Sequence, residues 1–421
     1  MINKKVHVIG GGTVSHVRTH LALAAPAYGG TAKKIAEMCE EHDGKLDVML
    51  HLTKMADSAS RIETNQDLEE LVIRLFDDPL TKIVFFNPAV VDFEGKITDD
   101  IVSGKDAKRL RTADLNDEVV TYDMKLTPTD KIISLFRKGS EGRAPRKDIF
   151  LVGFKATAGE TAEEQYRQGL NMLKQTSANL VLANDTVTRL NMIIVPEEAA
   201  YCVTKDREEA LIQLVEMAYL RSHLTFTRST VVAGEPIAWV SDLVPESLRT
   251  IVDHCIDRGA YKKFRGVTAG HFAVKVDDTT FLTSRRKTDF NDMKNVGLVK
   301  VKTDGPDTVI AYGSRPSVGG QSQRIVFEEH PDADCVIHFH CPKREGSLVP
   351  TVSQKEFECG SHECGKNTSR GLVRFGNLLA VHLDNHGPNL IFNRSIDPNE
   401  VISFIESNFD LKEKTGGYRI S

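Results

Sequence analysis

The sequence has 421 residues, 40% hydrophobic and 27% charged, with a formal net charge of -5. At roughly 150 residues per domain, this length predicts two or three domains with sizeable cores, which excludes a disordered chain. No run of about 18 apolar residues occurs, so no membrane helix is expected, and the mildly acidic balance argues against general nucleic-acid binding.

In chain order, residues 6–9 form a strand candidate ending in Gly10-Gly11-Gly12. Its apolar stretch is too short for a signal peptide, and a cytoplasmic setting is expected. A helix over about 31–41 and a strand near 46–52 follow. Leu68, Leu71, Val72, Leu75 and Phe76 recur at i, i+3, i+4, i+7 and i+8, one buried face of a helix. Residues 83–86 suit a buried parallel strand, and 149–154, a helix near 162–175 and 180–182 continue the alternation. This pattern predicts a doubly wound parallel α/β sheet. Arg137 to Lys147, with Lys138, Arg143 and Arg146, reads as a solvated mobile loop.

Thr, Ser, Gly and Pro interrupt the rhythm over 223–245, where a domain boundary is expected: residues 1–225 before it, 240–421 after it. A helix over 245–258, strands near 270–276, 280–283, 296–302, 308–312, 335–340 and 378–383, and a terminal helix over 398–408 predict α+β with a largely antiparallel sheet. Seven cysteines at low density do not suit a secreted disulfide scaffold. Cys335, Cys341, Cys359 and Cys364 cluster within 30 residues, together with several histidines. His338 and His340 are two apart, so on a strand both imidazoles face one side and can reach one ion. A third histidine, His386, stands in an Asn-His-Gly turn just past the last apolar strand. Three protein ligands plus an open position is a common catalytic zinc arrangement. Cys359-Gly-Ser-His362-Glu-Cys364 reads as a second metal site or, more simply, as cysteines in apolar positions.

From about 245 to 410 the chain resembles the class II aldolase/adducin family. Phe264 to Phe272, including Gly266, Thr268, Gly270 and His271, resembles its GTSGNIS substrate loop. Phe281 to Arg286 sits at its I-T-P-S-G segment, and Arg315-Pro316-Ser317-Val318-Gly319 at its PSSE segment. His338-Phe339-His340 matches HxH, Phe357 to Glu363 resembles FGTHEL, and Asn385-His386-Gly387 matches NHG. The resemblance implies that His338, His340 and His386 hold Zn2+ or another divalent ion, which stabilises an enediolate during carbon–carbon cleavage. It also implies a homo-oligomer acting on a small molecule. The family's catalytic glutamate falls on Gly319, which has no side chain. Glu358 and Glu363 are the nearest substitutes in sequence. Arg285 and Arg286 replace a Ser-Gly pair and suit a phosphate or carboxylate, alongside Ser317.

From about 5 to 221 the chain resembles the phosphopantothenoylcysteine synthetase family, whose members activate a carboxylate with CTP or ATP. Gly11-Gly12-Thr13 with Val17-Arg18 resembles its GGT…VR opening, and Asn87 to Phe93, including Asp92, its AAVADY segment. Val152 to Thr161 is similar to VGFAAET, and Leu180 to Asp185 to LICAND. Gly10, Gly11, Gly12, Asp92, Lys174, Asn184 and Asp185 are the nucleotide-binding candidates. The family asparagine that meets the acyl-nucleotide falls on Ala25, and only Lys174 remains of its lysine-rich loop. The expectation is a two-domain enzyme: a Rossmann-like nucleotide-binding half and an aldolase-like lyase half. The alternatives are a carboxylate–amine ligase with an accessory aldolase-like domain, and a non-catalytic interaction protein.

Overall fold

The computed structural model describes residues 3–42, 46–97, 104–113, 116–138 and 144–418, with the side chains of 318–322 left aside. Contacts divide the described chain into two units that are not contiguous in sequence. The first comprises residues up to Thr157, Asn171–Asn191 and Thr204–Ser222, and the second Ala158–Leu170, Met192–Val203 and His223–Ser421. No described helix is long and apolar enough to cross a membrane.

In the first unit, strands β1 (Lys4–Gly12), β2 (Leu46–Leu52), β3 (Thr81–Ala89), β4 (Phe150–Thr157) and β5 (Leu180–Asp185) alternate with helices. The strands run parallel in the order β5-β4-β3-β1-β2. The chain thus steps outward from β1 to β2 and then returns to β1's other side, so the order reverses between β1 and β3. Helix α1 spans Gly30–His42 and α2 Asn65–Asp77. The five apolar residues of α2 picked out by spacing are all buried. Thr64 caps that helix through a reciprocal box with Asp67, satisfying donors that the first turn leaves open.

Two readings of this region need correction. Arg137 and Arg146 are not solvated loop residues. Arg137 donates to the carbonyls of Ser177 and Ile149 and to Asn179, and Arg146 to the carbonyls of Phe76 and Asp78. Each guanidinium is thus spent on acceptors of neighbouring segments. Arg143 lies outside the described residues.

A buried histidine on β1 meets a half-buried one on β2. His7 Nδ1 lies 3.0 Å from His51 Nε2, so one shared proton joins two rings. Burial holds both rings down to about 4, and His51 further lowers His7. Because the folded values lie below the ordinary 6.5, the unfolded chain binds protons first as acidity rises. The stability is therefore fully present above about pH 6.5 and is lost as pH falls towards 4. We expect the pair to lose at least roughly 2 kcal/mol of stability at about pH 5. Urea midpoints at about pH 7.5 and 5 check this; a His7→Gln/His51→Gln chain with the same acid sensitivity as the parent would refute it.

The second unit is built on an antiparallel sheet. Its strands are β6 (Arg228–Val232), β7 (His271–Lys275), β8 (Thr280–Ser284), β9 (Leu298–Thr303), β10 (Thr308–Tyr312), β11 (Cys335–His338), β12 (Leu378–Leu383) and β13 (Gly387–Phe392). They lie in the order β6-β10-β9-β8-β7-β11-β13-β12, antiparallel except for the β6–β10 pair. The 223–245 stretch thus contributes a strand to this sheet. Alternation buries both faces. Phe272, Val274, Leu282, Ile337 and Phe392 pack with Leu248 and Ile251 of α5 (Glu246–Asp257) and with Val401 and Ile405 of α8 (Pro398–Asn408). Ala273, Phe281, Val336 and Ile391 face the other way, against Val326 and Phe327 of α6 (Val318–Glu329). Helix α7 spans His362–Gly371.

Candidate metal centre

The sheet delivers three histidines to one place. His338 ends β11, where it pairs with His271 of β7 on one side and Asn389 of β13 on the other. The strand stops there, so the expectation of both histidines within one strand is corrected: His340 lies two residues past its end. His386 belongs to the turn between β12 and β13, closed by His386 N–H to the Leu383 carbonyl at 3.0 Å. Asn385 and Gly387 both take positive φ there, 54° and 147°.

All three side chains are buried, at 1%, 7% and 2% exposure for His338, His340 and His386. Their ligand nitrogens lie within 4.8 Å of one another, a grouping unique among the described residues. His338 Nδ1 donates to the Pro388 carbonyl at 2.7 Å, which fixes the tautomer and leaves the Nε2 lone pair facing His386 Nε2 at 3.2 Å. Nitrogens sharing a tetrahedral zinc at 2.0–2.1 Å stand about 3.3 Å apart, so the donor set suits such an ion. Burial, then the neighbouring His386, pushes His338 well below the usual imidazole range, which keeps it neutral as a ligand must be. The Cys359 and Cys364 pair does not join with a third ligand into a second metal group among the described residues.

His271 stacks at a tilt on His338, with ring centroids 4.8 Å apart. Burial, then His338, holds it well below its usual value, so it is a neutral polar ring on the wall. A cavity adjoining the triad is lined by His271, Gln323, Cys359, Cys364, Thr368, His386 and Asn389, with apolar Val326, Val336 and Leu383. None of these is a carboxylate.

The carboxylates singled out in sequence sit elsewhere. Glu363 accepts from the Thr225 backbone N–H at 3.0 Å and from its hydroxyl at 2.8 Å, and Glu358 is half-buried beside Cys359. Sequence reading missed two further groups: one lines the cavity, and the other braces a residue that does. Gln323 lies one helical turn beyond Gly319 and is 2% exposed. Its Oε1 accepts from Thr283 at 3.3 Å, and its buried Nε2 finds no partner among the described residues. The i+4 spacing from Gly319 was the available signal. Glu197, 3% exposed, accepts from the Cys359 N–H at 2.7 Å across 162 residues of sequence, and no sequence signal pointed to it.

The anion candidates divide. Arg285 donates to Ser314 Oγ at 3.1 Å and to the Val296 carbonyl at 2.8 Å, so it ties the strand end to its neighbours. Arg286 is exposed and lies beside exposed Arg315; partial desolvation, then the like charge of Arg315, pulls its value down. Two adjacent guanidinium groups favour a doubly charged anion. Thr268 is spent on structure, donating to the Thr288 carbonyl and accepting from Phe290 N–H. Gly266 and Gly270 take positive φ in the loop before β7. Ser317, the residue before α6, donates its N–H to the Ser284 carbonyl at 2.9 Å.

In the first unit, Gly10 and Gly12 sit where close packing needs them: an added Cβ would stand 2.3 Å from Ala32 Cβ and 1.9 Å from the Ala25 carbonyl. Gly11 has φ 101°. Asp185 accepts from Thr157 Oγ1 and from the N–H groups of Val187 and Thr188. Asp92 pairs with Lys131, Asn184 is half-buried at the end of β5, and Lys174 is exposed.

Residues 252–345 match the family model described as the class II aldolase and adducin N-terminal domain. Among solved structures, the chain is similar to the DNA/pantothenate metabolism flavoprotein from Streptococcus pneumoniae, at 21% identity over 51% of this chain and 99% of that one, TM-score 0.38. It is also similar to L-fuculose-1-phosphate aldolase from Thermus thermophilus, at 17% identity over 39% of this chain and 85% of that one, TM-score 0.28. No curated protein matches significantly. The family match thus covers residues 252–345, within the second unit, and includes His271, His338 and His340.

Proposed function

We propose that the chain is a metal-dependent enzyme of the aldolase type, with residues 240–421 as the reacting half and 1–225 as a nucleotide-binding half. The observation that carries this reading is the buried triad, His338, His340 and His386, with His338 oriented by a backbone carbonyl. Three neutral imidazoles would hold a zinc or similar divalent ion, and bound there it supplies a Lewis-acid charge that polarises a substrate carbonyl.

The protein's own groups define the rest. His271 and Asn389 offer polar contacts beside the triad, and the Gln323 Nε2 supplies a buried donor to a ligand oxygen. Arg286 and Arg315 favour a phosphate or carboxylate on the substrate. With glycine at position 319, no carboxylate among the described cavity-lining residues and Glu363 held by Thr225, proton transfer falls to solvent or to Glu358 beside Cys359. In the first unit, the ends of β1 and β3 flank the point where strand order reverses, the usual ligand crevice of an open parallel sheet, and CTP or ATP is the proposed occupant.

Metal analysis of the purified protein tests the first part. About one divalent ion per chain is expected, and less than about 0.2 would refute the reading. Arg286→Ala is expected to raise KM for a phosphorylated substrate about tenfold with kcat nearly unchanged, since the charge pair acts on binding. An unchanged KM across a panel of sugar phosphates would remove the arginine pair from the site.

A further inference from the structure

Two of the seven cysteines differ from the rest. Burial pushes Cys39 and Cys341 up to about 12, as expected for thiols packed in apolar surroundings. Cys359 and Cys364 instead stand together on the wall of one small cavity. Cys364 stands in the first turn of α7, where Ser361 Oγ caps its N–H at 3.0 Å. Gln354 Nε2 also donates to its sulfur at 3.4 Å. A helix N-terminus and the Gln354 amide aimed at one sulfur both favour its thiolate. The direction agrees: the Cys359 thiol, then Gln354, draws Cys364 below its usual value despite burial. Cys359 is pushed up, first by the neighbouring Cys364 and then by burial. One sulfur is thus prepared as nucleophile and the other as its protonated neighbour. Cys359 is half-buried, and both sulfur-bearing residues line the cavity with His271 and His386.

We propose that Cys359 and Cys364 are a reversible thiol–disulfide site that controls the cavity beside the histidine triad, with a hydroperoxide as oxidant. The Cys364 thiolate attacks one peroxide oxygen and the O–O bond breaks. The departing alkoxide takes a proton and leaves as an alcohol, or as water from hydrogen peroxide, and Cys364 becomes a sulfenic acid. The Cys359 sulfur then attacks the Cys364 sulfur, and its proton leaves with the sulfenic hydroxyl as water. Two thiols lose two electrons and the hydroperoxide gains them. Gly360, at φ 89°, gives the segment between the two cysteines a turn that draws them together. Reduction by a small dithiol reverses the bridge. Drawing the two sulfurs into one bond moves the wall that Cys359 and Cys364 share with His386, so ligand binding at the triad becomes redox-dependent. That second half rests on the metal reading above; the bridge itself does not.

The test uses the full chain and hydrogen peroxide, followed by alkylation, tryptic digestion and mass spectrometry. Trypsin places both cysteines on one peptide, 356–366. The expected result is loss of two hydrogens in that peptide at peroxide levels that leave Cys39, Cys255 and Cys335 alkylatable, reversed by dithiothreitol. Cys359→Ser should leave Cys364 as a sulfenic acid that a dimedone probe captures. A 356–366 peptide that stays fully alkylated while the other cysteines oxidise would overturn the site. In parallel, chelator competition should show zinc bound about tenfold more weakly after oxidation of the parent chain, but not of Cys359→Ser. Unchanged zinc affinity in the oxidised parent would overturn the control. A reduced chain that binds no zinc would instead refute the metal reading and leave the peptide result to stand or fall alone.

Discussion

His338→Ala is expected to lower zinc affinity by at least about a hundredfold, the largest single effect in the molecule, because the change removes a ligand and the anchor that orients it. Loss of an outer partner alone costs about 10–100-fold, and here the ligand itself is deleted. His338 also lies on a central strand, paired with His271 and Asn389. The backbone ladder of β11 does not depend on the imidazole, so the fold should persist. Equilibrium dialysis with metal analysis reads the outcome, alongside a thermal melt that confirms folding. A folded variant that retains one tightly held ion per chain would exclude His338 as a ligand.

Gly387→Ala carries the second large effect, and it acts through the backbone. Gly387 has φ 147°, a region that side chains rarely enter. An added Cβ would also stand 2.1 Å from the Phe339 carbonyl oxygen and 3.1 Å from the His340 Cα. The obstacle is backbone on both sides, so no side chain can swing away. The strain must separate the turn bearing His386 from the segment bearing His340. We expect a loss of about 3 kcal/mol in stability, with zinc affinity reduced at least tenfold. Gly259 supplies the control: its φ is 79°, but nothing lies within 4 Å of an added Cβ, so alanine there should cost about 1 kcal/mol. Denaturant midpoints compare the two. Equal losses at both positions would show that conformational strain alone, and not the approach of the two histidine segments, decides the effect.

The sequence carried a large part of this because hydrophobic period is a local property. The terminal helix Pro398–Asn408 and the strands Thr308–Tyr312 and Leu378–Leu383 were readable to the residue, since burial on a regular element repeats at fixed spacing. His338, His340 and His386 were readable as a set for a related reason: a two-residue spacing at a strand end and an Asn-His-Gly turn each constrain direction locally. Less legible was the end of β11, where the turn through Asn385 and Gly387 packs against Phe339 and takes over from the ladder. Arg285 and Arg286 are adjacent letters of one type. Only the fold shows one turned to Ser314 and the Val296 carbonyl and the other lying beside Arg315.

Length and composition thus determined that this chain has room for more than one core, and its motifs determined which half brings three histidines together. Tertiary structure decided what surrounds them. Glu197 reaches Cys359 from 162 residues away, Gln323 presents a buried amide one turn beyond Gly319, and Glu363 is bound to Thr225. Such pairings are set by how sheets and helices pack, and packing brings together residues whose separation along the chain holds no record of their contact.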